Sequence, residues 1–129
     1  MKRKQVRLVA PNRPEKDIQK DICRFLEMRH LVFTPTNSKM WPSKTKGKFF
    51  RSGGKVGWPD ITGLLPNGRL FCIEVKGKHG QVSPDQRRVM DQIAASGGVV
   101  GVARCVEDAA NIIDPLIQVI SSVGPWTRQ

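Results

Sequence analysis

The chain has 129 residues, a formal net charge of +11 and 39% hydrophobic residues, which allows one domain with a real core and leaves no room for a second. Cys23, Cys72 and Cys105 lie in apolar stretches without CxxC or Cys/His spacing, which argues against a disulfide framework and against a zinc site. No run approaches transmembrane length and no apolar stretch follows Met1-Lys2-Arg3-Lys4, so neither a membrane span nor a secretory signal is expected, and a reduced, cytoplasmic setting fits.

The charge is unevenly placed. Lys2, Arg3, Lys4, Arg7 and Arg13 precede the first acid, Glu15, and Lys39, Lys44, Lys46, Lys48, Arg51 and Lys55 fall between Glu27 and Asp60 with no acid among them. Those eleven cations account for the whole excess of 22 Lys and Arg over 11 Asp and Glu. The layout is a near-neutral domain with two basic extensions, as suits a polyanion partner.

In chain order, residues 1–14 lack periodicity and contain Pro11 and Pro14, so they read as a basic arm, with a single domain over 15–129. From Glu15 to about Arg29, Ile18, Ile22, Phe25 and Leu26 recur at helical spacing, with acids in the first turn where they complement the dipole. Leu31 to Thr34 reads as a short strand ended by Pro35. The segment 37–57 reads as a long basic loop, the kind of connection that is uncommon without a function. Its Lys39, Lys44, Lys46, Lys48, Arg51 and Lys55 are candidate phosphate contacts. For Trp41, Phe49 and Phe50, stacking on bases is weighed against closing the core or contacting a second subunit, and the latter readings are favoured, which leaves a homodimer open.

Trp58 to Lys76 reads as a β-hairpin carrying Asp60, Glu74 and Lys76 on an otherwise apolar ribbon. On its second strand Leu70, Cys72, Glu74 and Lys76 share one face, which sets Glu74 and Lys76 roughly 7 Å apart on the same side. Asp60 joins them only with the right turn. A two-residue loop at Asn67-Gly68 sends it to the opposite face. A three-residue loop, Pro66-Asn67-Gly68, or a bulge at Gly63, brings it to the same one.

Beyond the hairpin, Ser83 caps a helix that has Pro84 at its first position and Gln86 at its third, with Val89, Met90, Ile93 and Ala94 as its apolar face. His79, alone in the preceding loop, reads as surface. Val99 to Ala103 reads as a buried strand, followed by two short helices over Glu107–Ile113 and Pro115–Val123, the second capped by Asp114. The order α-β-β-β-α-β-α predicts an α/β domain with a mixed sheet.

Pro59-Asp60 followed by Glu74-Val75-Lys76 resembles the PD-(D/E)xK nuclease pattern. The early helix with Glu15, the Ser83-Pro84-Asp85-Gln86 helix start and the Gly-Gly-Val-Val strand ending near Arg104 are similar to the VRR-NUC (virus-type replication-repair nuclease) family, over roughly Glu15 to Asn111. The resemblance implies a restriction-endonuclease-like α-β-β-β-α-β core and Mg²⁺- or Mn²⁺-dependent hydrolysis of DNA phosphodiesters. It implies Asp60, Glu74 and the Val75 carbonyl as metal ligands, Lys76 as the group that orients water or neutralises phosphate charge, and Gln86 beside the site. For Glu15 a water-mediated metal contact and a helix-dipole role stand side by side, as do a catalytic and a capping role for Gln86. DNA is the expected partner, with no membrane and no small-molecule cofactor. The rival expectation is a non-catalytic nucleic-acid-binding module on the same fold, for which the paired acids near a polyanion have no use.

Overall fold

The computed structural model describes residues 12–36, 40–42, 49–51 and 55–122. Its first helix, α1 (Glu15–Met28), buries Ile18, Ile22, Phe25 and Leu26, the four residues that the helical spacing selects. It ends where His30 takes a φ of 57°, His30 N–H returning to the Glu27 carbonyl and Leu31 N–H to that of Leu26. These bonds satisfy carbonyls that the helix end leaves open.

The main sheet has the order β1-β4-β5-β6, built from β1 (Val32–Pro35), β4 (Ile61–Leu64), β5 (Leu70–Val75) and β6 (Val99–Ala103). The β1, β4 and β5 pairings are antiparallel and β5 pairs with β6 in parallel, so the sheet is mixed. Pro35 falls inside β1 rather than after it. That is tolerable because β1 is an edge strand, where a missing N–H breaks no ladder. Within the segment read as a loop, β2 (Met40–Pro42) and β3 (Phe49–Arg51) form a separate antiparallel ribbon with Trp41 opposite Phe50.

The hairpin register pairs Ile61 with Ile73, Gly63 with Phe71 and Leu64 with Leu70. Leu65 N–H reaches the Arg69 carbonyl at 2.8 Å, so the loop is the three-residue Pro66-Asn67-Gly68. Gly63 makes no bulge. A Cβ there would lie 2.3 Å from Phe71 Cζ and 2.7 Å from the Val32 carbonyl oxygen, so the ring and the neighbouring strand occupy the space a side chain would need.

Helices cover both sheet faces. α1 and α3 (Val106–Ser122) pack on Phe71, Ile73 and Val75, together with Ile61, Ala109 and Ile113. α2 (Pro84–Ala95) packs Val89 and Ile93 on Cys72, with Leu70, Trp58 and Val100 around them. Each fully buried aliphatic side chain contributes about 1.5–3 kcal/mol, which is ample to hold α2 against the face that also carries Glu74 and Lys76. β6 is half-buried rather than buried, because it is the other edge of the sheet.

The C-terminal region is one helix with Pro115 inside it, not two helices divided at Asp114. Ile112, Leu116, Ile117 and Ile120 continue one apolar stripe across the proline, and this burial outweighs the single backbone bond that Pro115 cannot make. Asp114 caps nothing. It accepts from Arg29 Nε at 2.9 Å and Nη2 at 3.1 Å, tying α3 to the end of α1.

Candidate active site

Asp60, Glu74 and Lys76 meet where β5 ends and β4 begins. Continuing the hairpin register by one step sets Asp60 opposite Glu74. β4 has no further backbone rung here, and the carboxylate supplies it: Asp60 Oδ2 accepts from Val75 N–H at 2.8 Å. Thr36 holds the other side of this turn, donating from its N–H to the Asp60 carbonyl and from its hydroxyl to the Pro59 carbonyl, both at 2.6 Å. Trp58 Nε1–H donates to Thr62 Oγ1 at 2.7 Å. Gly57, at a φ of 84°, lets the first turn of α2 come close, since a Cβ there would lie 2.5 Å from the Asp85 carbonyl oxygen.

Glu74 is 2% exposed, and Lys76 is buried beside it. Glu74 Oε1 accepts from Gln86 Nε2 at 2.9 Å and lies 3.4 Å from Lys76 Nζ. Glu74 Oε2 is buried without a hydrogen-bond partner. Burial, and then the charge of Asp60, push the Glu74 carboxyl up to about 8; burial raises Asp60 as well, against the pull of the Val75 N–H. The two carboxyls disfavour each other's ionisation, which adds to the effect of burial at Glu74.

Gln86 caps the helix and touches Glu74, with different atoms. Its Oε1 accepts from Ser83 N–H at 2.9 Å and its backbone N–H donates to Ser83 Oγ at 3.1 Å, completing a capping box, while its Nε2 is free to reach Glu74. Glu15 stands at the border of the site: its Oε1 accepts from Gly77 N–H at 3.4 Å, and its charge acts on Asp60. Among the described residues no three His, Cys, Asp or Glu side chains converge into a ready-made metal cage. The oxygens brought together are those of two carboxyls, Asp60 and Glu74. A hard cation that keeps several waters and takes few carboxylates fits them, and the partnerless Glu74 Oε2 is the atom that a cation would satisfy.

Several contributors were not legible in the sequence. Arg104 Nη1 donates to the Gly77 carbonyl at 2.6 Å and fixes the turn after Lys76. Thr36, Thr62 and Gly57 position Asp60 without carrying any motif. Of the candidate phosphate contacts, Lys55 is exposed and its Nζ donates to Gln92 Oε1 at 3.0 Å. Arg51 lies on β3, and Lys39, Lys44, Lys46 and Lys48 lie outside the described residues, as does most of the N-terminal arm. His79 is exposed. Among the described residues no helix is long and apolar enough to cross a membrane.

No curated protein matches the chain. The family model of the VRR-NUC domain matches residues 13–107, a span that runs from just before α1 through β6 and includes Asp60, Glu74, Lys76 and Gln86. With that match over most of its length, and with the nuclease-type α/β core described above, the chain belongs to the VRR-NUC family.

Proposed function

We propose that the protein is a metal-dependent deoxyribonuclease, using Mg²⁺ with Mn²⁺ as a substitute, that hydrolyses phosphodiester bonds in branched, flap or junction DNA during replication, repair or recombination. One observation carries this assignment: a fully buried carboxyl whose second oxygen has no donor, set against another carboxyl and a buried ammonium. A sheet gains nothing from such a cluster. Burying unpaired charge costs several kcal/mol, and an apolar replacement serves stability better.

Asp60, Glu74 and the Val75 carbonyl would hold the cation, with Glu15 adding negative charge at the border. Bound there, it supplies Lewis acidity toward water and toward the phosphate oxygens. Gln86 and Lys76 both engage Glu74 Oε1, which fixes the carboxyl plane and leaves Oε2 available. Lys76 also offers an ammonium to orient the attacking water or to offset charge developing on the phosphate. The Asp60–Val75 bond locks the aspartate rotamer, and the Arg104 bond to the Gly77 carbonyl fixes the turn after Lys76.

The assignment is tested by incubating the protein with labelled flap, junction, nicked and blunt duplexes in Mg²⁺, in Mn²⁺ and in EDTA. Cleavage in either metal, absent in EDTA and strongest on a branched substrate, is the expected result. Tight binding to every substrate without cleavage in any metal would instead assign the chain to the non-catalytic class.

A further inference from the structure

The charge count hides an asymmetry on α1. Asp21 pairs with Arg13, and neither Asp21 nor Asp17 lines the cleft beside this helix. Lys16, Lys20 and Arg24, spaced four residues apart, exposed, and paired with no carboxylate among the described residues, mark the flank that does. That flank forms one wall of a cleft of about 690 Å³ whose far side is Pro35 and Thr36 and which opens onto Asp60. Four residues advance about 6 Å along a helix, so the three cations form a ladder whose steps are comparable to the separation of successive phosphates in a strand. Gln19 and Cys23 lie between them, with Glu15 at the active-site end and Glu27 at the far end.

Among the described residues the lining offers one file of cations, on α1, and none on the side of Pro35 and Thr36, so it matches the phosphates of one strand rather than the two backbones of a duplex. We infer that the cleft between α1 and the end of β1 holds a single nucleic-acid strand next to Asp60, its successive phosphates neutralised by Lys16, Lys20 and Arg24. This rests on the nuclease assignment and narrows it: the substrate carries an unpaired arm beside the bond that is cut. The cations of α1 then act as binding residues that set which DNA structure is accepted, distinct from the basic segment 37–57.

The test uses binding alone, so that it is independent of cleavage. Fluorescence anisotropy in EDTA follows a labelled oligothymidylate, a forked duplex with one single-stranded arm, and a blunt duplex over a range of salt. The proteins are the wild type and a variant combining Lys16→Gln, Lys20→Gln and Arg24→Gln. Each phosphate contact to a single strand contributes about 0.7 to the slope of log K against log salt. The slope is expected to flatten by about 2 for the oligothymidylate and the fork and by much less for the blunt duplex. Lys20→Gln alone, at one exposed position, should flatten it by about 0.7 and provides the same test if the triple variant does not fold. Unchanged slopes on all probes would overturn the inference, and equal flattening on the blunt duplex would overturn its single-strand part. A flattened slope in a protein that cuts nothing would uphold the strand path while removing the nuclease assignment.

Discussion

Replacing Glu74 by Gln should make the metal-free protein more stable at alkaline pH. The folded-state carboxyl sits near 8 against an ordinary 4.5, raised first by burial and then by Asp60. A group raised in this way contributes stability that is fully present below its unfolded value and is lost as pH climbs through its folded one. Wild-type stability should therefore fall between about pH 4.5 and pH 8. At about 1.4 kcal/mol per pH unit, the interval from 4.5 to about 8 caps the loss at about 5 kcal/mol. Movement of Lys76 and water entering from the neighbouring cleft bring this to about 2 kcal/mol, or roughly 6–10 °C in Tm for a domain of this size. The amide in Glu74→Gln does not titrate, can still accept from Gln86, and can donate toward Asp60. Thermal unfolding in EDTA from pH 5 to pH 9 should thus show wild type falling away from Glu74→Gln as pH rises, with Mg²⁺ restoring wild type alone. Parallel curves over that range would refute the reasoning.

Gly63→Ala should cost about 2–3 kcal/mol in urea unfolding, since its Cβ meets Phe71 and the Val32 carbonyl; a loss below about 0.5 kcal/mol would contradict the register. Ser83→Ala and Gln86→Ala each break the capping box and should each destabilise by about 1 kcal/mol. Gln86→Ala alone should also weaken Mn²⁺ binding by about 10-fold or more, because it also frees Glu74, and equal metal affinities in the two variants would confine Gln86 to capping. Replacing Lys44, Lys46 and Lys48 together by Gln should flatten the salt slope of duplex binding by up to about 2.7 units, with little change in cleavage at saturating DNA. An unchanged slope would remove those three residues from the DNA contact.

The apolar periods of α1 and α2 and the alternation of β5 were readable because each depends on neighbours in sequence: the helices bury the faces expected, and β5, covered on both sides, sends Phe71, Ile73 and Val75 to one face and Leu70 and Cys72 to the other. The site was readable up to one choice, the hairpin loop. The Asn67-Gly68 pair favours a two-residue turn locally, but Leu65 pairs with Arg69 across three residues, and the packing of Phe71 over Gly63 fixes that register. Pro115 misled for the opposite reason. As local chemistry it starts a helix, whereas the stripe from Ile112 to Ile120, buried against distant residues, carries the helix through it. Contacts such as Arg104 to Gly77 and Thr36 to Pro59 join residues 27 and 23 positions apart and leave no local pattern. The ladder of cations on α1 was concealed by counting, because Asp17 and Asp21 balance Lys16 and Lys20 in sum although only the lysines line the cleft.

Single-turnover cleavage of a labelled forked duplex in Mg²⁺, with wild type beside Asp60→Asn, Glu74→Gln and Lys76→Ala, tests the central claim most directly. Wild type should cut and all three variants should lose cleavage; the two carboxylate variants should bind the fork in EDTA as well as wild type or better, since removing a carboxylate removes repulsion from phosphate, whereas Lys76→Ala, which removes a cation, should bind no better than wild type. Wild-type cutting by any one of the three would contradict the assignment of that residue to the chemistry, and wild-type cutting by both carboxylate variants would place the active site elsewhere.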